Sequence, residues 1–327
     1  MFGTVKISTQ AQPRSKSMSK ISTLAMFPGQ GSQFVGMGKS LLDDFPVAKA
    51  VFEEAEDTIH VPIRNLCFEG PEEDLKLTAN TQPCILTVSV AYWQVFKKET
   101  GCQPLLFAGH SLGEYSALVA SEKLAFSRAI YLVRHRGEAM QKAVPQGTGS
   151  MAAIMGAGVE ALETLCKSLT QPGHVVELVN YNSPQQLVVA GHKQPVEALI
   201  KVLEKDNMRS VLLPVSAPFH SSLMKPARES MTSLLNETKL ISNDTKVIPN
   251  ISGAVAHPYE ISNLIRQIDG PVYWMQSLQA ATQYGCDTLI EVGPSKVLFG
   301  LARRVVSKDI KMHHTEDFKK TIQIFQS

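Results

Sequence analysis

The chain has 327 residues, 44% hydrophobic and 19% charged, with a formal net charge of +2. Such a chain can bury one large core or two smaller ones. Its near-neutral balance gives no footing for nucleic acid, and no apolar run is long enough to span a bilayer. The five cysteines, Cys67, Cys84, Cys102, Cys166 and Cys286, include no CxxC pair. They read as reduced thiols of a cytoplasmic protein, with no disulfide frame and no metal site.

Residues 1–20 differ from the rest. Lys6, Arg14, Lys16 and Lys20 stand among serines and threonines with no acidic residue and no apolar signal core. The stretch reads as a disordered leader, or as residues ahead of a start at Met18. The alternative is a transit peptide, which would place the protein in an organelle matrix.

Leu24 to Phe27 is a short apolar strand that runs into the glycine-rich loop Pro28-Gly29-Gln30-Gly31-Ser32-Gln33. The lysine of a phosphate-binding loop is missing there. The loop therefore suits close backbone approach and an N–H supplied to an oxyanion. Helices are expected over 46–57 and 83–98, the second with Pro83 in its first turn and Gln82 at its mouth as a cap. Leu105 to Phe107 ends a buried strand. Ser111 follows in the Gly-x-Ser-x-Gly frame of Gly109 to Gly113, and the apolar segment 115–120 reads as a helix. Strand, tight turn and helix form a nucleophile elbow, which lifts the serine hydroxyl and aims backbone N–H groups above it.

The helix expected over 126–143 carries Ile130, Val133, Gly137 and Met140 on one face, with Arg136 at its edge. Periodicity leaves two readings for Arg136: a buried cation awaiting an anion, or a side chain reaching solvent. From residue 147 the pattern becomes βαββαβ, ending in a strand at 209–215. This is a ferredoxin-like unit, inserted between two halves of a larger α/β domain. The division is 21–146 with 216–327 for the large domain and 147–215 for the small one.

A serine needs a base. His110 adjoins Ser111, but neighbouring side chains on a tight turn diverge. His60, His135, His174 and His192 sit in polar settings, and His313 and His314 follow the last strand. His257 lies in a proline-bearing loop. His220, after Pro218 at the end of an apolar strand, stands where an open α/β sheet presents reactive groups. No acid among Asp244, Asp269 and Asp287 occupies an obvious strand-end setting; a backbone carbonyl could orient the imidazole instead, since Nδ1–H needs only an acceptor.

Five motifs taken together, 29–33, 109–114, 180–184 (Asn-Tyr-Asn-Ser-Pro), 217–221 (Ala-Pro-Phe-His-Ser) and 291–294 (Glu-Val-Gly-Pro), resemble the malonyl-CoA:acyl carrier protein transacylases, acyltransferases of fatty acid synthesis. The resemblance runs from about residue 24 to 310. It implies an α/β-hydrolase-like large domain interrupted by a ferredoxin-like small domain. It also implies Ser111 as nucleophile, His220 as base, and the N–H groups of Gln30 and Leu112 as the oxyanion hole. Arg136 would hold the malonyl carboxylate, and the carbonyl of Gln267 would orient the histidine. Gln82, Met140 and Asn182 would line the cleft, and Phe219 would exclude branched acyl groups. The implied partners are malonyl-CoA and acyl carrier protein, on a monomer that uses no cofactor. A hydrolase passing the acyl group to water shares the elbow, but an esterase has no use for a buried cation beside its serine.

Overall fold

A computed structural model describes residues 22–215 and 217–326; the leader read at 1–20 lies outside them. Nine strands are present among these residues: β1 (Thr23–Phe27), β2 (Leu106–Gly109), β3 (Gly149–Met155), β4 (Val176–Ser183), β5 (Gln186–His192), β6 (Arg209–Leu212), β7 (Val247–Ile248), β8 (Thr288–Glu291) and β9 (Lys311–His314). They form a five-stranded sheet in the order β7-β2-β1-β8-β9 and a four-stranded sheet in the order β4-β5-β3-β6. Every pairing in the first sheet is parallel, and every pairing in the second is antiparallel. The fold is thus mixed α/β, with the antiparallel strands inserted between β2 and β7.

β1 shows why the parallel sheet is central. Leu24 and Met26 point into one apolar cluster, Ala25 and Phe27 into another, and all are fully buried. A strand covered on both faces reads as a continuous apolar run, which is the pattern of a parallel sheet clad by helices. From β1 the chain builds outward through β2 and β7, then returns to add β8 and β9 on the other side. The order reverses at β1, so the crevice of this sheet opens beyond the carboxyl ends of β1 and its neighbours. Both the glycine-rich loop after β1 and the elbow after β2 emerge there. The antiparallel unit is tied to the parallel one by backbone hydrogen bonds from Val272 N–H to Val179 O (2.8 Å) and from Tyr181 N–H to Val272 O (2.9 Å).

Three expectations are corrected. The helix expected from Pro83 spans Thr78–Thr100, so Pro83 is an interior residue and Gln82 is buried within the helix rather than capping it. Proline lacks the N–H that would bond the carbonyl of Ala79. That carbonyl instead accepts Arg134 Nη1 at 2.9 Å, which repairs the interruption from outside. Next, the strand expected through Val215 ends at Leu212, and His220 lies in a turn rather than at a strand end. Finally, His313 and His314 do not follow the last strand; they lie on it, in β9, half-buried.

Trp93 of the Thr78–Thr100 helix packs against the parallel sheet. Its ring meets Phe27 of β1 edge-on at 6.2 Å and Phe107 of β2 at 5.7 Å. Trp93→Ala should therefore lower the free energy of unfolding by about 3–5 kcal/mol. Guanidinium denaturation measures this, and a loss below about 1 kcal/mol would mean that the ring does not pin helix to sheet.

Candidate active site

β2 ends at Gly109 and the next helix, Gly113–Ala120, begins after only three residues. A Cβ at Gly109 would lie 1.9 Å from the carbonyl of Gly113, and one at Gly113 would lie 2.0 Å from the carbonyl oxygen of Phe27. Only glycine permits so tight a reversal. At its tip Ser111 takes a left-handed conformation with φ 51°, which costs a side-chain-bearing residue about 1–3 kcal/mol. Hydrogen bonds hold it there. Ser111 N–H donates to Asn250 Oδ1 at 2.6 Å, Asn250 Nδ2 donates to Gly109 O at 2.6 Å, and Gln267 Nε2 donates to Ser111 O at 2.9 Å.

His220, also left-handed at φ 64°, brings Nε2 to 2.7 Å from Ser111 Oγ. Its Nδ1 faces the carbonyl oxygens of Gln267 at 2.9 Å and Gly270 at 3.1 Å. Carbonyls only accept, so Nδ1 carries the proton and Nε2 presents a lone pair to the serine hydroxyl. Burial, then the charge of Arg136, pushes this imidazole down to about 3. A neutral base is thus held against the serine. His110 turns away, its Nε2 2.8 Å from Asn182 Oδ1, and His257 is exposed.

Arg136 resolves to the buried reading, with 1% of its surface exposed. Its Nη1 donates to Gln82 Oε1 at 2.8 Å, and its Nη2 donates to Gln267 Oε1 at 2.9 Å and to Ser111 Oγ at 3.2 Å. The guanidinium carbon lies 5.7 Å from the centre of the Tyr115 ring. No carboxylate among the described residues forms an ion pair with it, and its Nε has no partner. Burial lowers its pKa, yet a guanidinium keeps its proton. The result is a cation facing a serine with capacity left for an anion.

The cleft above Ser111 has a volume of about 240 Å³ and is lined by Gln30, Leu112, Gln82, Arg136, Met140, Phe219 and His220, among others. The backbone N–H groups of Gln30 and Leu112 find no acceptor among the described residues, as an oxyanion hole requires. One placement differs from expectation. Asn182 stands behind the wall, bonded to His110, and the asparagine of β4 that lines the cleft is Asn180. Alternation puts both asparagines on one face of β4, with Tyr181 turned to the outer cluster, so the two differ in their place along the strand, which carries register shifts at Leu178/Asn180 and at Tyr181/Ser183. Sequence reasoning missed Asn250, the side chain of Gln267, and Glu114 beneath them. Only Glu114 left a trace, as an acid opening an otherwise buried helix.

Residues 25–315 match the acyl transferase domain family. The chain is 47% identical over 292 residues to the malonyl CoA-acyl carrier protein transacylase of Bacillus subtilis, covering 88% of this chain and 91% of that protein. An acyl carrier protein S-malonyltransferase from Vibrio cholerae has a similar structure, with a TM-score of 0.88 at 40% identity over 93% of this chain and 99% of that one. The structure of a type II PKS acyl-carrier protein in complex with its malonyl-transacylase also matches, with a TM-score of 0.88 at 38% identity, over 93% of this chain and 99% of that one.

The low pKa of His220 has a measurable consequence. Its ordinary value is 6.5 and its folded value is about 3. Between those limits the unfolded chain takes up a proton that the native one refuses, so native stability falls as pH drops through that window. His220→Gln should flatten this part of the stability–pH curve relative to wild type, as followed by denaturant unfolding at stepped pH. The ring signals of His220 should also stay fixed from pH 8 to pH 5 in NMR; titration near 6.5 would refute the buried neutral base.

Proposed function

The chain belongs to the acyl transferase domain family, and from that footing we propose the reaction of its site. It transfers the malonyl group of malonyl-CoA to the phosphopantetheine thiol of acyl carrier protein, supplying fatty acid chain elongation. The observation that carries the choice of acyl group is Arg136, a buried cation 3.2 Å from the serine hydroxyl with no carboxylate among the described residues in an ion pair with it. Malonyl and acetyl thioesters differ by one carboxylate, and the planar guanidinium fork matches two carboxylate oxygens.

Ser111 attacks the thioester carbonyl as His220 Nε2 takes its proton. The N–H groups of Gln30 and Leu112 stabilise the oxyanion. The C–S bond breaks, the imidazolium returns the proton to the departing coenzyme A sulfur, and a malonyl-serine ester remains. The carrier thiol then gives its proton to His220 and attacks the ester. The C–O bond breaks, and Ser111 recovers the proton. Gln267 orients the histidine through its carbonyl. Gln82 and Met140 shape the acyl end of the cleft, and Phe219 occupies the space an α-methyl group would need.

This chemistry calls on no metal or redox cofactor. We read the parallel unit, 21–146 with 216–327, as α/β-hydrolase-like and the insertion, 147–215, as ferredoxin-like. The β4-β5-β3-β6 order and the strand–helix–strand–strand–helix–strand succession support the second assignment. A site complete within one chain supports a working monomer. The five free cysteines support a cytoplasmic setting, and no described helix is long and apolar enough to cross a membrane.

Incubation with malonyl-CoA should place one malonyl group on Ser111, located by mass spectrometry of the intact protein and its peptides. An adduct on a cysteine, or release of free malonate as fast as malonyl carrier protein forms, would overturn this mechanism. Arg136→Ala strands the bound carboxylate at a cost of roughly 2–5 kcal/mol. Malonyl kcat/KM should fall by about one and a half to three and a half powers of ten while acetyl transfer holds. Equal loss on both substrates would make Arg136 structural.

A further inference from the structure

One carboxylate beneath the serine–histidine pair has no part in the reaction written above. Glu114 is fully buried at the start of the Gly113–Ala120 helix. Its Oε2 lies 3.0 Å from the Asn250 N–H and 2.6 Å from Gln267 Nε2, and its Oε1 receives the Tyr259 hydroxyl. The two nitrogens can only donate, so Oε2 is an acceptor twice over. Burial pushes the Glu114 carboxyl up, while its three donors and the charge of Arg136 act to hold it down.

Each donor on Oε2 also holds a reacting group. The Asn250 side chain fixes the Ser111 N–H. Gln267 orients His220 through its carbonyl and receives Arg136 through Oε1. A continuous path therefore runs from Arg136 Nη2–H to Gln267 Oε1, across the amide, and from Gln267 Nε2–H to Glu114 Oε2. A direct Arg–Glu contact would balance the buried charge but would occupy the guanidinium fork. The interposed amide keeps a counter-charge close while leaving the fork open to a ligand's carboxylate.

We propose that Glu114 is a positioning residue. Acting through Gln267 and Asn250 without touching His220, it fixes the serine and the histidine together. Its amide-bridged pairing with Arg136 sets how strongly the site holds a substrate carboxylate. The proposal rests on the acyl-transfer reading above.

The test is single-turnover acylation of Ser111 by malonyl-CoA and by acetyl-CoA in wild type, Glu114→Gln and Glu114→Asp, each checked by thermal melting. Glu114→Gln replaces an acceptor with an amide and removes the charge. Maximal acylation should slow about tenfold or more with both substrates. The concentration of malonyl-CoA giving half-maximal rate should fall, because Arg136 has lost its counter-charge, and an unchanged value would refute that pairing's hold on affinity. Glu114→Asp keeps the charge and should recover part of the rate. Wild-type maximal rates in Glu114→Gln, a weakened hold on malonyl-CoA, or losses that only track the folded fraction would overturn the proposal. Should Glu114→Gln not fold, Glu114→Asp decides alone: its rate falls with the hold on malonyl-CoA kept, and an unchanged rate refutes the role. Wild type without a malonyl-serine adduct would instead defeat the transfer reading itself.

Discussion

A guanidinium with almost no contact with water is the constraint around which this site is built. Removing such a charge from solvent costs several kcal/mol even after relaxation. That cost is offset by Gln82 from the Thr78–Thr100 helix, Gln267 from the Ser262–Gln267 helix, and the face of Tyr115 from the elbow helix. None of these is an anion. Arg136 thus draws together three segments far apart in the chain, while its counter-charge, Glu114, is reached only through the Gln267 amide. In the proposed reaction a substrate carboxylate supplies the direct anionic contact that the guanidinium fork lacks. Neutral acyl groups gain nothing from the same cation.

The parallel sheet makes this arrangement rigid enough to matter. β1 and β2 are neighbours, so the loop carrying Gln30 and the turn carrying Ser111 and Leu112 leave the same edge of the sheet side by side. The His110 N–H donates to Phe27 O at 3.0 Å, which carries the register one residue past the strand ends. Leu112 is buried and Gln30 half-buried, so the two N–H groups that the proposed reaction offers to the oxyanion are held by the ends of adjacent core strands. Preorganised donors need no reorganisation when charge develops. The wall opposite is contributed by the antiparallel unit through Met151 and Asn180, so the cleft lies between the two sheets.

What could be read from the chain was what is local. The elbow occupies six consecutive residues whose glycines, serine and flanking apolar runs carry the whole geometry, and Ser111 follows from them directly. The βαββαβ succession was readable for the same reason, since each element's period lies in its own window. His220 was less visible, because its position depends on a turn with φ 64° that no pattern announces. Asn250 and the side chain of Gln267 were beyond reach. They meet Ser111 across 139 and 156 residues of chain, and an isolated polar residue in a loop carries no sign of such a partner. Pro83 misled for a related reason. Its interior place in a helix is tolerated because Arg134, from another helix, takes the carbonyl that proline abandons.

Among the described residues no carboxylate bonds the histidine ring, an arrangement that suits the presence of Arg136. An ionised acid touching Nδ1 would stand in the same dry pocket as the guanidinium. It would pair with that cation and close the fork to substrate. Two backbone carbonyls, of Gln267 and Gly270, orient the ring through their dipoles and add no net charge. The imidazole stays neutral and ready to accept a proton, and becomes charged only as the oxyanion forms opposite it. A single residue joins the two demands. Gln267 supplies the neutral carbonyl to the base with its backbone and the neutral acceptor to the cation with its side chain, while passing the influence of Glu114 upward through its amide. In the proposed reaction one glutamine thereby serves both the orientation of the base and the selection of the acyl group.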